Sequence, residues 1–567
     1  MYDKSFIDEL AAVVAQWEKD NQSEFNKERQ KEFTTEEGEI PVGRLYTPLD
    51  LVRKGVDYLE DIGMPGSYPY ARGISPTMYR GQLWKHTQYA GFATAAETNK
   101  LFRRLVEEGG EQAGLSLAFD LPTQLGYDSD HHMASGEVGK AGIILKSFRD
   151  WEKIFEGIDI GKVYTYSVSN AQAIVTMSMH FLLAEKQGVD LIGLRGGMQN
   201  DVLKEYVARG NFIYPINHAM RLAADTIAYC AEKVPLYQPI SVGQIHLCEA
   251  GANRVHQAAY TLAIMMAYLD AVVKRGVDID KVASKIFVMT GQNHSDFFGE
   301  IAKLRATRKL WAKIIRERYG AKKPESMRLV MMSHNGGSYM TREQPINNVV
   351  RSAIACLIGA LAGVQHLGLR TMDEVYGIPS TEAEIICIRT QQVVAYETNI
   401  VNTVDPLGGS YYLETLTKDY EEEILKELDR VEKLGGMVEA INQGYIQHQI
   451  IKDAYKTQKE TESGKIVRVG RNMFRSEEEE IKRPTYKADP EIERMQIQEL
   501  EDLRAKRDNA AVQKSLDKLR LVAEKEESNE NNLLPHVMDA VRVYATMGEI
   551  CGALREVFGE YREPSPL

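Results

Sequence analysis

Cysteine is scarce. The 567 residues hold five, at Cys230, Cys248, Cys356, Cys387 and Cys551, with no CxxC spacing. That excludes a disulfide framework and a thiolate zinc site, and leaves buried thiols in a reducing compartment as the expectation. Long apolar runs are also missing. None approaches the roughly 18–20 residues that span a bilayer. The N-terminal stretch MYDKSFIDELAAVVAQWEKDNQ reads as an acidic amphipathic helix and not as a signal peptide, so a cytoplasmic location is expected. Positive charge is short as well: the net charge of −12 argues against a nucleic-acid or anionic-membrane surface, although a local basic patch holding a small anion stays possible.

Several chemical signatures are absent too. No GxGxxG follows a first strand, and no GxxxxGK[ST], HExxH or GxSxG occurs. DSDHH, from Asp128 to His132, resembles a metal cluster only superficially and reads as an Asx-rich turn. No metal ligand is expected.

What is present alternates short apolar runs with longer amphipathic helices. The strand candidates are GLSLAFDLP, VYTYSVSN, LIGLRGG, PISVGQIHL, KIFVMTG and RLVMMSHN, most followed by a helical pattern such as AQAIVTMSMHFLLAEKQG. Strands too apolar to have a wet face indicate a parallel sheet flanked by helices, and six or more such units fit a (β/α)8 barrel. The expected plan is a helical arm over residues 1–48, an α/β barrel over 49–412 and a charge-rich helical extension over 413–567. SEEEEIKRPTYKADPE reads as an exposed linker within that extension.

In a parallel barrel the chemistry sits at the C-terminal strand ends. The polar residues there are Asp120 with Thr123 and Gln124, Ser169-Asn170, Gln199-Asn200-Asp201, His246 with Glu249, Gln292-Asn293-His294 and Ser333-His334-Asn335. Ahead of a capping box at Thr94–Glu97 stands a run dense in rings and cations, from Tyr79 and Arg80 through Trp84, Lys85 and His86 to Tyr89.

Taken together, TMY…W…QYAGF, GLSLAFDLPTQLGYDSDH, MQNDVLKEYVARGNFIYP, CEAGA, EIAKLRATRKLWAKI, DPLGGSYYLETLT and ATMGEICGALREVFGEY resemble the large, substrate-binding subunit of the adenosylcobalamin-dependent acyl-CoA mutases, the methylmalonyl-CoA mutase family. The resemblance runs from about residue 35 to 562. It implies a radical 1,2-shift of the thioester group in a dry chamber, with the acyl-CoA threading the barrel axis. By resemblance, Tyr89 and His246 are catalytic, the first abutting the adenosyl group and the second hydrogen-bonding the thioester carbonyl. Arg209 pairs with a substrate carboxylate, a task suited to its planar fork. Gln199, Ser116, Thr77, Met78, Arg80, Lys85 and Lys285 complete the substrate set. Ala118, Phe119, Ala141, Gly337, Gln365 and Glu374 face the cofactor, Glu374 holding its ribose.

Where the family carries arginines for the CoA phosphates, this chain has Gln82, Thr87 and Lys285. VMMSHNGG, with Met332 and His334, replaces the corrin-facing pattern, and Ile245 replaces a tyrosine beside the histidine. Tyr89, Ala118 and Arg209 point to a malonyl-type dicarboxylic acyl-CoA of the methylmalonyl/succinyl kind. A bulkier alkyl- or aryl-malonyl-CoA and a branched hydroxyacyl-CoA stay open, as does a catalytically silent barrel acting as scaffold. No DxHxxG cobalamin motif is present, so the resemblance implies a separate small cobalamin-binding subunit in a heterotetramer or larger assembly, with a chaperone GTPase as a further partner.

Overall fold

Leu115, Leu117 and Phe119 alternate with Ser116 and Ala118, and that period of two decides which side chains enter the interior and which face the helices. A computed structural model describes residues 2–36, 40–86, 94–109, 114–377, 379–476 and 489–563. Its strands are β1 (Lys85–His86), β2 (Gly114–Ala118), β3 (Tyr164–Val168), β4 (Gly196–Met198), β5 (Tyr237–Gln238), β6 (Ile240–Val242), β7 (Ile286–Gln292), β8 (Val330–Asn335) and β9 (His366–Gly368). They form two parallel sheets in the orders β2-β3-β4-β5 and β1-β9-β8-β7-β6.

Only Pro239 separates β5 from β6, and it has no N–H to donate to the ladder. Past it, the Ser241 N–H donates to the Gln199 carbonyl at 2.9 Å, so pairing continues from the end of β4 onto β6. The strands thus follow one another from β2 round to β9 and β1 in chain order, as successive βα units require. Pairing of β1 with β2, which would complete a ring, is not among the ladders of the described residues.

Each of the six strand candidates contains a strand. In LIGLRGG, however, Leu191–Gly193 form a turn and the strand starts only at Gly196. Three strands escape the apolar-run criterion because they are two or three residues long and partly polar, β1, β5 and β9. The capping box is present: the Glu97 N–H donates to Thr94 Oγ1 at 3.2 Å and the Thr94 N–H to Glu97 Oε2 at 3.3 Å, starting the helix Ala95–Gly109.

Outward residues make the main cores. Ile240, Val242, Ile286, Val288, Met331 and Leu367 pack under helices Arg254–Val273, Phe297–Glu317 and Tyr411–Lys433. Leu115, Leu117, Phe119 and Met198 pack under Ala173–Gln187, with the C-terminal helices Leu534–Arg542 and Met547–Phe558 outside them. A separate interior group holds Tyr166, Val168, Ile245, Phe287, Met289 and Met332.

Ion pairs buried between helices explain several of the motifs. Arg305 reaches Asp405 at 2.7 Å and Glu414 at 2.8 Å, pinning DPLGGSYYLETL to the helix Phe297–Glu317. Arg308 donates to the carbonyls of Tyr70, Ala71 and Ala362. The linker candidate at 476–491 lies almost wholly outside the described residues. No helix among the described residues is long and apolar enough to cross a membrane.

Candidate functional site

β6 ends at Val242, and Gly243 then turns the chain into the short helix Gln244–Glu249, which lifts His246 over the C-terminal strand ends. A side chain at Gly243 would stand 2.6 Å from His246 Nδ1 and 2.9 Å from Lys204 Cδ, so only glycine lets the ring settle there. Burial, with the charges of Lys204 and Arg209 beside it, holds the His246 pKa well below the usual histidine range. The ring is therefore neutral at physiological pH. Its Nδ1 stands 3.3 Å from the Gly243 carbonyl, an acceptor only, so Nδ1 carries the proton of that bond.

Arg209 closes the π-helical turn Glu205–Arg209 after β4. Its Nη1 lies 3.2 Å from Glu205 Oε1 and its Nη2 donates to Gln124 Oε1 at 2.7 Å. Glu205 is also paired with the buried Lys204 and accepts from the Asn211 N–H at 3.0 Å. The arginine expected to meet a substrate carboxylate is thus already oriented by protein groups.

On the far side of the mouth, Arg370 Nη1 lies 3.3 Å from Glu374 Oε1, and the Ser338 N–H donates to Glu249 Oε2 at 3.0 Å. Gly337 sits between those carboxylates: a Cβ there would be 3.7 Å from Glu374 Oε1 and 3.9 Å from Glu249 Oε2. Burial pushes the Glu374 carboxyl up, opposed by Arg370. Two acceptors flanking an open glycine fit a ligand carrying hydroxyl donors, such as the ribose of an adenosyl group.

Deeper in, Gln199 donates from Nε2 to Met289 Sδ at 3.1 Å, while its Oε1 and the Ser116 Oγ are buried with no hydrogen-bond partner among the described residues. Ala118 shares the inward face of β2 with Ser116. Phe119 turns outward, 1% exposed, onto Trp151 at a ring separation of 6.2 Å, because it lies one residue out of phase with Ala118. Ala141 is exposed near the end of β2.

A second group of expected residues lies at the opposite, N-terminal ends. Thr77, Met78 and Arg80 precede β1, Lys85 begins it, and Lys285 precedes β7. Arg80 donates to the Asn402 carbonyl at 3.0 Å. Gln365 joins this group and not the cofactor side: its amide accepts from the Met331 N–H and donates to the Gly363 carbonyl, each at 2.9 Å, where β9 starts. Tyr89 and Thr87 lie outside the described residues. DSDHH contains the expected turn, the His131 N–H donating to the Asp128 carbonyl at 3.0 Å, and its carboxylates also reach the C-terminal helices. Asp128 accepts from Thr546 Oγ1 at 2.6 Å and the Gly548 N–H at 2.8 Å and pairs with Arg504, as does Asp130.

The sequence did not single out Lys204, Glu205, Arg370, Tyr166 or Met289. Adjacent opposite charges inside MQNDVLKEYV were a usable signal for the first two; Arg370 follows the strand that the apolar-run criterion misses. A groove of about 680 Å³ between the helices Ile216–Lys233, Arg254–Val273 and Tyr411–Lys433 contains none of the candidate residues.

Comparison with known proteins bears on what this mouth does. The family described as Methylmalonyl-CoA mutase matches residues 34–560. The 2-hydroxyisobutanoyl-CoA mutase large subunit of Aquincola tertiaricarbonis is 41% identical over 559 residues, covering 98% of each chain. The methylmalonyl-CoA mutases of Cereibacter sphaeroides and Escherichia coli are each 38% identical over 532 residues, covering 94% of this chain and 73% and 72% of their own lengths.

Proposed function

This chain belongs to the methylmalonyl-CoA mutase family, and from that premise we propose that it is the substrate-binding subunit of an adenosylcobalamin-dependent acyl-CoA mutase, an isomerase. The observation that carries the assignment is the mouth itself: a neutral, half-buried His246 beside Arg209, with Gln199 beneath and Gly337 open between Glu249 and Glu374. We extend the two parallel sheets to a closed (β/α)8 barrel, supported by the strand order and by the pairing carried across Pro239.

Adenosylcobalamin, when bound, supplies the carbon radical that begins a 1,2-rearrangement. This chain's residues hold, orient and exclude. Glu374, with Glu249 across Gly337, would accept hydrogen bonds from the cofactor's ribose. His246 would donate from Nε2 to the thioester carbonyl, which needs the proton now on Nδ1 to change nitrogen. Tyr89 belongs to the same chamber by family resemblance. The buried, partnerless Ser116 Oγ and Gln199 Oε1 are polar atoms that a bound substrate would satisfy.

For the substrate we propose a malonyl-type dicarboxylic acyl-CoA, with Arg209 as the cation facing the free carboxylate. A branched hydroxyacyl-CoA is the second assignment, supported by the 41% identity to a 2-hydroxyisobutanoyl-CoA mutase large subunit and by Ile245, an aliphatic wall beside His246. The cobalt-ligating domain is proposed to reside on a separate small subunit, as the printed name "large subunit" of that relative suggests. A heterotetramer or larger, and a chaperone GTPase as a further partner, rest on family membership alone.

The test is turnover by the assembled enzyme with methylmalonyl-, ethylmalonyl-, benzylmalonyl- and 2-hydroxyisobutyryl-CoA, for the natural chain and Arg209→Gln. Losing the charge-assisted contact should raise KM for carboxylated substrates by about ten-fold or more and leave monocarboxylic ones within about two-fold. Equal losses for both classes would remove the carboxylate role from Arg209.

A further inference from the structure

Arg209 and His246 reach the mouth from different strands, the first from the turn after β4 and the second from the short helix after β6. Buried charges lie between them. Two residues past β4, Asn200 takes a left-handed backbone at φ 47°, which asparagine tolerates, and its amide donates to the Pro239 carbonyl at 3.1 Å. Asp201 follows. Its Oδ2 accepts the Gly243 N–H at 2.8 Å and its Oδ1 the Tyr268 hydroxyl at 2.8 Å. The carboxylate thereby holds the glycine against which the His246 ring settles.

Lys204 meets the same glycine through its stem, since a side chain at Gly243 would strike Lys204 Cδ as well as His246 Nδ1. Its ammonium pairs with Glu205, which accepts Arg209 Nη1 at 3.2 Å and the Asn211 N–H at 3.0 Å. Asp201 and Lys204 are 0% exposed and Glu205 1%. Carboxylates and cations alternate in the order Asp201, Lys204, Glu205, Arg209, so charge balances without water. A buried ion stripped of its partner is strongly unfavourable, and a satisfied buried network is rigid. The group therefore has one arrangement, and it touches both functional side chains.

We infer that Asp201, Lys204 and Glu205 are positioning residues that hold Arg209 and His246 as one unit, so that the groups meeting the carboxylate and the thioester are fixed against each other before substrate arrives. The inference rests on the mutase assignment for its substrate class. Lys204 is the joint, with its stem on Gly243 and its ammonium on Glu205.

Two variants loosen the unit at different points. Glu205→Gln keeps the shape but weakens the hold on Arg209. Lys204→Met removes the ammonium while leaving Glu205 its other partners, Arg209 and the Asn211 N–H. In the chain assembled with a cobalamin-binding partner and adenosylcobalamin, Glu205→Gln should raise KM for carboxylated acyl-CoAs about five-fold and leave monocarboxylic ones within about two-fold. Lys204→Met should lower kcat about ten-fold for both classes. The double variant should fall short of the product of the single effects, because one unit is loosened only once. Unchanged constants per folded molecule in both single variants would overturn the inference and leave these charges as core filling.

Hydrogen exchange on the chain alone reads the same link without turnover. In Lys204→Met the amides of 243–249 should exchange about ten-fold faster, together with those of 205–211. Acceleration confined to 205–211 would overturn the link. Tyr268→Phe, which takes one donor from Asp201 and leaves every charge in place, should speed exchange over 243–249 by about three-fold, and an unchanged rate there would overturn the part given to Asp201. If the natural chain turns over no acyl-CoA at all, the mutase assignment falls, and exchange still decides whether the unit exists.

Discussion

His246 presents a proton-placement problem. Its pKa is held low by burial and by two neighbouring cations, so it acts as a neutral ring, and the bond to the Gly243 carbonyl puts the proton on Nδ1. A thioester carbonyl accepts and cannot donate, so binding requires the proton on Nε2. The 3.3 Å bond to Gly243 is long and cheap to give up. His246→Ala should therefore lower kcat by about 100-fold or more while partner and cofactor binding stay intact. His246→Gln, whose amide nitrogen falls near Nε2, should recover part of that loss. Steady-state kinetics of the two variants checks this, and equal rates for Gln and Ala would show that a donor at Nε2 is not what the histidine supplies.

Among the elements, the loop after β2 shows how the C-terminal helices are fastened. Asp128 receives the Thr546 hydroxyl and the Gly548 N–H from the start of Met547–Phe558, and Arg504 from Pro490–Lys506. Burial outweighs those partners and lifts its carboxyl to about 6, as it also does for Asp225. A carboxyl that holds its proton more tightly when folded contributes stability below the unfolded value near 4, and that contribution is lost as pH rises from about 4 to 6. Glu36 has the opposite sign. Burial is overcome by Arg254 and Arg468, the pKa falls to about 2, and its contribution is lost as pH drops from about 4.5 to 2. Thermal unfolding across pH 4–6 should show a fall in midpoint that flattens in Asp128→Asn; an unaltered slope would place the effect elsewhere.

The same scale shows what the chain's text made legible. Long apolar runs announced β2, β3, β7 and β8, and the capping box announced the helix that follows β1. The strands β1 and β9 were not legible because Lys85–His86 and His366–Gly368 owe their conformation to neighbouring ladders and not to their own composition. The mouth was half legible. A polar residue ending an apolar run marked Gln199, and family resemblance marked His246, Arg209 and Glu374. Nothing local marked Arg370, whose importance depends on where β9 points it. Gln365, which resemblance set beside the cofactor, stands one residue before β9, at the strand end opposite the mouth.

For the molecule as a whole, helices pack outside two parallel sheets whose polar residues gather at one mouth. Such a body positions and seals; in the proposed assembly the reactive group comes from a cobalamin-bearing partner covering that mouth. The decisive measurement is electron paramagnetic resonance on the chain mixed with a cobalamin-binding partner and adenosylcobalamin, during addition of each candidate acyl-CoA. A signal that requires chain, partner and one matching acyl-CoA together, and that accompanies formation of the isomer, is the expected result. Silence with every acyl-CoA, or turnover by the isolated chain without cobalamin, would contradict it.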